Sequence, residues 1–419
     1  MPSHILWSPI KNMWSRIYYG YVIVLVAFFI FVIIFGAEFS FGVFLKPLLN
    51  EFGWTRAAIS GAYSLKMVLS GVFGLIAGKL NDKFGPRLIV TGCCFIAGLG
   101  YLLMSQISTI WQIYLLYGVL LSVGGGGCII PLFSTVARWF VKRRGLASGI
   151  IGSGVGVGII IMPLLANYLI STYSWRFSYV IIGLMALVVP VILAQFLRRD
   201  PHQMGLIAYG TDSVSSDNPN LGIKGFSFRE AIRTRQLWMI SIIFFCDGFC
   251  VHTVMVHMVP HATDIGVLAI AAAAILSVMG FCDVSSKIVT GGIGDKIGSR
   301  RVLIILFTLM LVAFLWLQFA SVLWMLYLFA ITFGIAYGGV GVAQSPLVAE
   351  YFGLRAHGAI YGVSMSALCV GSAIGPLMAG RIFDARGSYY WAFILCAILS
   401  IVGLILSIFL KLQKTTYRS

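Results

Sequence analysis

The sequence predicts an all-α membrane protein, with 12 transmembrane helices in two pseudo-symmetric six-helix bundles. Three observations carry that prediction. Of the 419 residues 60% are hydrophobic and only 10% charged, against about 25% charged in a soluble domain. Apolar stretches long enough to span a bilayer, about 20 residues each, recur along the whole chain between short charged or Gly/Pro joints. The second half of the chain also repeats the first at a fixed offset.

Spans are placed at 20–45, 57–80, 88–106, 109–136, 145–170 and 176–197, and again at 236–262, 267–290, 301–319, 321–347, 357–381 and 388–411. A polar segment, 198–235, separates an N-terminal bundle, 1–197, from a C-terminal bundle with a short tail, 236–419. Within that segment Ser227 and Glu230 have the spacing of a capping box, and Asp212 to Asn220 reads as flexible loop. Ahead of the first span, Ile5, Trp7, Ile10, Met13, Trp14 and Ile17 suggest a short amphipathic helix on the membrane surface. The start lacks an apolar core followed by a small-residue cleavage site, so no cleaved signal peptide is expected.

The formal charge of +16 invites a nucleic-acid partner, but its distribution excludes one. With both chain ends cytoplasmic, the outer loops hold Lys46, Arg56, Arg176, Arg381 and Arg386, and the membrane holds Lys66 and Lys287. The remaining 22 of the 29 Lys and Arg residues fall on inner segments. That asymmetry is positive-inside bias, which sets orientation. The expected location is therefore the cell inner membrane. All eight cysteines lie in spans without C-x-x-C spacing, so neither a disulfide framework nor a metal site is indicated, and no cofactor is expected.

An offset of 213 carries Gly78, Asp82, Lys83, Gly85 and Arg87 onto Gly291, Asp295, Lys296, Gly298 and Arg300. The same offset relates Gly125 to Gly338, Gly149 to Gly362, Gly158 to Gly371, Pro163 to Pro376, and Glu51-Phe-Gly53 to Asp264-Ile-Gly266. Parallel duplication of this kind places a solute site between the halves near the midplane.

Charges inside a bilayer cost roughly 2.5–3.5 kcal/mol each on insertion scales, so those present call for a purpose. Asp283 and Lys287 sit four apart in the eighth span, acid before base, the favoured order for a helical pair. They read either as a mutually neutralised structural pair or as the solute and proton site. In the second reading the empty site is neutral, and so is the site holding a protonated Asp283 with an anion on Lys287. Half-loaded sites leave a charge that closure would desolvate, which makes one-to-one symport. Glu38 and Lys66 lie at similar depth on adjacent spans and read first as a structural salt bridge. The alternatives are Glu38 as a second protonation site and Lys66 as a second anion contact. Asp247, near the midplane of the seventh span, is an alternative partner for Lys287. His252 and His257 follow on the same helix as packing or proton-relay residues, with His261 and Asp264 at the outer mouth. Pseudo-symmetry with Glu51 favours a loop-anchoring Asp264. Tyr337 and Cys369 are expected to line the cavity. The glycines Gly124–Gly127, Gly152, Gly154, Gly156 and Gly158 read as close-packing faces.

The pattern G-x3-D-[RK]-x-G-x-R, present after the second and eighth spans, resembles the signature loop of the major facilitator superfamily. The run Trp139-Phe-Val-Lys-Arg143-Arg144-Gly-Leu146-Ala147-Ser-Gly149 resembles the loop and fifth helix of the monocarboxylate transporter family. Gly280-Phe-Cys-Asp283-x-x-x-Lys287 is similar to that family's eighth-helix acid and base, although the family usually has Arg in the second position. His257-Met-Val-Pro260-His261-Ala-Thr-Asp264-Ile-Gly266 is similar to the end of the seventh helix in its bacterial members. The first-helix motif of animal members survives only as Tyr18-Tyr19-Gly20-Tyr21, and Phe39, after Glu38, stands where they carry a lysine. The resemblance implies a carrier, not an enzyme, moving a small monocarboxylate of the lactate or pyruvate type with a proton. It further implies a proton-coupling role for Asp264 and signature acids, Asp82 and Asp295, that hold the halves together on the cytoplasmic side. A monomer is expected. An oxalate–formate type of carboxylate antiporter is the alternative, and a non-transporting sensor on the same fold is a third reading.

Overall fold

The computed structural model describes residues 18–140, 143–210, 225–353 and 355–410. The surface segment expected near the N-terminus and the loop from Asp212 to Asn220 lie outside the described residues. Among the described residues, 12 helices are long and apolar enough to cross a membrane. They are α1 (Tyr19–Phe52), α2 (Arg56–Phe84), α3 (Pro86–Met104), α4 (Ile110–Trp139), α5 (Arg144–Thr172), α6 (Trp175–Ala194), α7 (Arg235–Asp264), α8 (Ala269–Ile297), α9 (Ser299–Leu317), α10 (Leu323–Phe352), α11 (His357–Arg386) and α12 (Tyr390–Phe409). A helix satisfies its own backbone polar groups, the requirement any spanning segment must meet in lipid.

Several helices run past the apolar stretches that announce them. Glu51, Asp82, Asp264 and Asp295 therefore lie in last helical turns, not in loops. The ends follow local chemistry. Thr55, Ser174 and Thr234 cap the starts of α2, α6 and α7, each accepting a backbone N–H three residues on. Glycines with positive φ end helices at positions related by the repeat, Gly53 (66°) with Gly266 (90°) and Gly85 (83°) with Gly298 (83°). Between α6 and α7, Ser227 and Glu230 form the reciprocal capping box, Ser227 N donating to Glu230 Oε2 at 2.7 Å. α1 is broken at Ser40, whose Oγ donates back to the Gly36 carbonyl at 2.8 Å.

α1–α6 pack as one bundle and α7–α12 as the other. Between them α5 crosses α8, α2 lies along α11, and the last part of α1 meets α7. Missing side chains make these crossings close. A Cβ on Gly280 would lie 2.7 Å from the Gly156 carbonyl oxygen, one on Gly42 2.7 Å from that of Val256, and one on Gly380 2.9 Å from Ala57 Cα. Toward the end that carries the two signature loops, here the signature face, the packing stops. Gly145, Gly149 and Gly152 on α5, and Gly358 and Gly362 on α11, would find nothing within 4 Å of an added Cβ. The halves are closed at the far face and part toward the signature face.

The far-face closure centres on Arg56, which is 7% exposed. The carboxylate of Asp384, on α11, accepts the first two N–H groups of α2, those of Arg56 and Ala57, at 3.0 and 2.8 Å. The Arg56 guanidinium pairs with Asp264 at 2.8 Å and lies 3.5 Å over the Phe383 ring. Lys46 pairs with the same Asp264 at 2.7 Å. Removing the cap with Asp384→Ala should weaken closure by ~1 kcal/mol, about a fivefold loss of the closed population. Spin-label distances between the far ends of α2 and α11 measure it.

Candidate functional site

Asp283 and Lys287 lie halfway along α8, one helical turn apart, with Lys287 Nζ 2.7 Å from Asp283 Oδ2. Asp283 is 0% exposed, while the Lys287 side chain keeps 17% of its surface open. Two glycines hold the carboxylate from opposite sides. An added Cβ on Gly156, from α5 of the other half, would lie 2.6 Å from Oδ2, and one on Gly338, from α10, would lie 2.9 Å from Oδ1. Oδ1 has no hydrogen-bond partner among the described residues. Lys287 also reaches the Gly152 carbonyl on α5 at 3.3 Å and lies 5.9 Å from the centre of the Tyr337 ring. The site is thus a cation and an acid at the junction of the two bundles, on the border of the gap that opens toward the signature face.

The Tyr337 phenol lies within Coulombic reach of Asp283, Asp247 and Glu38. Asp247, 4% exposed, takes a hydrogen bond from Gln344 Nε2 at 3.1 Å, and its second oxygen has no partner among the described residues. Lys287 is therefore paired with Asp283 and not with Asp247. Cys369, on α11, is half-buried, and its Sγ lies 3.8 Å from where a Gly71 Cβ would be on α2, so it faces the seam between the halves.

Glu38 and Lys66 form a second ion pair at 2.5 Å, inside the N-terminal bundle. The two are 4% and 1% exposed, and α4 closes over them. An added Cβ on Gly125 would lie 3.1 Å from Glu38 Oε2 and 3.4 Å from Lys66 Nζ. Gly125 and Gly338 are equivalent by the repeat, and each bares its helix to the ion pair of its own half.

The major facilitator superfamily model matches residues 27–282 and 240–419. This chain belongs to that superfamily. It is similar to monocarboxylate transporter 13 of Rattus norvegicus, at 26% identity over 92% of this chain and 87% of that protein. It is similar to the oxalate:formate antiporter of Oxalobacter formigenes as well, at 25% identity over 89% of this chain and 87% of that one. Its fold matches a bacterial homologue of the human lysosomal transporter Spinster, with a TM-score of 0.72 at 18% identity, covering 94% of this chain and 96% of that one. The protein is accordingly a multi-pass membrane transporter and not an enzyme.

The remaining expected residues of this superfamily member sit away from the central pair. His257 is enclosed at the far side, with Nε2 2.8 Å from the Pro376 carbonyl and Nδ1 2.9 Å from the Tyr389 hydroxyl. A carbonyl only accepts, so Nε2 carries the hydrogen and Nδ1 takes that of Tyr389. Tyr389 in turn accepts from Arg56 Nη1 at 2.5 Å, which ties His257 into the closure network. His252 accepts or donates at Nδ1 to Tyr63 across the seam at 2.8 Å.

Asp264 pairs across the seam, which its repeat partner does not do. Glu51 binds Trp175 and Arg176 of its own bundle, whereas the position equivalent to Arg176 is Tyr389, and Asp264 takes its cations, Lys46 and Arg56, from the opposite bundle. One expectation needs correction: Asp82 does not bridge the halves. It pairs with Arg138 of its own bundle at 2.8 Å, because the bundles have parted at that face. The Asp295 side chain lies outside the described residues, as does that of Arg144.

The signature arginines act as equivalents instead. Arg87 reaches Gln195 at 2.9 Å and Arg300 the Ile408 carbonyl at 2.5 Å, positions again 213 apart, each tying the third helix of a bundle to its sixth. An added Cβ on Gly78 would lie 3.0 Å from Ile130 Cγ2, Lys83 and Lys296 are exposed, and Arg143 stands exposed at the start of α5 with φ 64°.

Arg56, Gln344, Tyr389 and Asp384 were not singled out from the sequence. The scarcity of acids is the signal that leads to them: among 13 Asp and Glu residues in 419, each one near the membrane needs a partner.

Burial of the Glu38–Lys66 pair generates a prediction. Lys66→Met strands a buried carboxylate and should destabilise by about 3–5 kcal/mol, read as a fall in detergent-solution Tm. The double change Glu38→Gln with Lys66→Met should recover most of that loss, and exchanging the two residues should keep transport if the pair is structural.

Proposed function

We propose that the protein is a proton-coupled symporter of a small monocarboxylate of the lactate or pyruvate type, working by alternating access as a monomer in the cell inner membrane. The signature face and both chain ends lie in the cytoplasm in this reading. Lys287 binds the solute carboxylate and Asp283 takes the proton. The observation that carries the reading is the Asp283–Lys287 ion pair at the junction of the bundles, with the acid sealed and the lysine open toward the gap.

The pair is neutral when empty. A solute anion arriving at Lys287 displaces Asp283 from the cation it pairs with and leaves the carboxylate uncompensated in the cavity. Closure around that charge is costly, and a proton on Asp283 removes the cost. Solute and proton therefore cross together, and an empty carrier returns with its internal pair remade. Lys287 presents a point charge and not a planar fork, which suits small carboxylates of varied geometry. Tyr337 beside Lys287 and Cys369 on the seam are the lining residues that limit solute size.

An acid that must be neutralised before turnover supports symport over exchange. In exchange the incoming anion replaces the outgoing one on the lysine, and no proton is needed. Uptake of labelled lactate, pyruvate, formate and oxalate into proteoliposomes, with and without an imposed proton gradient, separates the two. Symport predicts uptake that rises as the pH on the solute side falls, because protonated Asp283 is the competent form, and that is lost as the pH climbs. Oxalate–formate counterflow indifferent to the gradient would support the antiporter instead.

Two variants sharpen this. Lys287→Ala should lower uptake by about 100-fold, the loss of a ~2.8 kcal/mol charge-assisted contact, with expression intact; near-normal uptake would remove the assignment. Asp283→Asn leaves the empty site charged and the anion-loaded site neutral. Net proton-driven uptake should disappear while solute-for-solute counterflow survives, measured on the same vesicles.

A further inference from the structure

The Asp283 carboxylate is held by two helices that belong to different bundles. On its own side is α10, where Gly338 meets Oδ1, and across the seam is α5, where Gly156 meets Oδ2. Lys287, one turn further along α8, is bound across the same seam by the carbonyl of Gly152 at 3.3 Å. Gly152 and Gly156 are one turn apart on α5, so a single short stretch of the N-terminal bundle touches both members of the pair. The fit at Gly156 is the tighter one. A methyl there would meet Val284 Cγ2 at 2.5 Å, Asp283 Oδ2 at 2.6 Å and the Gly280 carbonyl at 3.1 Å. Gly149, two turns before Gly156 on the same helix, would meet nothing within 4 Å.

We propose that Gly156 is a positioning residue for the Asp283–Lys287 site, through which the relative position of the two bundles decides whether Asp283 can leave Lys287 and take a proton. This rests on the assignment of the proton to Asp283. With α5 pressed against α8, the carboxylate has no room except on Lys287, and the second cation contact, Gly152, is in place. When the bundles rock apart at the seam, both restraints go together. Oδ2 becomes free to move and to meet water, and Lys287 loses a competing acceptor just as solute arrives. Charged and titratable groups facing Asp283 are Lys287 on its own helix and Tyr337 on α10. The two α5 residues touching the pair, Gly152 and Gly156, are glycines, so α5 acts there by shape and by a carbonyl.

The test is the pH profile of proton-driven lactate uptake in proteoliposomes, normalised to inserted protein, for the wild type, Gly156→Ala, Gly149→Ala and Asp283→Asn. Gly156→Ala pushes the carboxylate off its cation, so the pH of half-maximal uptake should rise by about one unit, the size expected when an opposite charge is lost. Gly149→Ala should superimpose on the wild type. Combining Gly156→Ala with Val284→Ala removes the Val284 Cγ2 clash and leaves the carboxylate contact, so it should move the profile the same way and keeps the test available if Gly156→Ala inserts poorly. Profiles of Gly156→Ala and of the double variant coincident with the wild type would overturn the proposal. Retained proton-driven uptake in Asp283→Asn would instead overturn the assignment of the proton to that residue, a distinguishable failure.

Discussion

A charge in the interior of this protein has to be cancelled where it stands, and that constraint organises the molecule. The described buried acids near the midplane stand in three environments. Glu38 and Lys66 cancel each other inside one bundle under the cover of α4. Asp247 takes the amide of Gln344 and has no cation among the described residues. Asp283 and Lys287 cancel each other at the seam, where the cover belongs partly to the other bundle. Of the two pairs, the one at the seam has a cover that can move away from it as the bundles rock. That difference separates a structural ion pair from one placed to respond to solute.

The closures at the two faces are chemically unlike, and this asymmetry follows from what each end can offer. At the far face, helix ends from both bundles bring opposite charges together: Lys46 and Arg56 from one, Asp264 and Asp384 from the other. Asp384 also occupies the α2 N-terminus, where free N–H groups and the helix dipole both favour an anion. At the signature face charged residues find partners within their own bundle, Asp82 with Arg138 and Arg87 with the Gln195 amide. Nothing of that set spans the gap in this conformation. The duplicated ancestry of the bundles is still visible in Gly85 and Gly298 and in the two arginines that follow them. It has been broken where the halves meet, as the replacement of an arginine equivalent by Tyr389 shows.

Glycine carries much of the specificity of assembly. The crossing of α5 and α8 and the alignment of α2 with α11 need backbone against backbone, which small residues permit and which substitutes for a hydrophobic driving force that lipid does not supply. The same absence of side chains at Gly125 and Gly338 lets an ion pair approach a helix backbone in each bundle. Gly156 serves both ends, packing α5 against α8 and bordering the Asp283 carboxylate.

The sequence by itself determined the fold, the repeat, the span order and the roster of intramembrane charges, because hydropathy, spacing and scarcity of acids are local or countable properties. It also placed Asp283 and Lys287 within reach of each other, since four residues on a helix is a fixed distance, while leaving Asp247 as a rival partner, and it gave the spacing of the Ser227–Glu230 capping box for the same reason. Only the tertiary structure decided that Asp247 turns to Gln344, that Asp264 and Asp384 reach across to α2, that Asp82 stays within its own bundle, and that Gly156 is pressed on the Asp283 carboxylate. Those contacts join residues as many as 328 positions apart and depend on helix crossing angles and on how far the bundles have parted. Residue spacing along the chain holds no record of either.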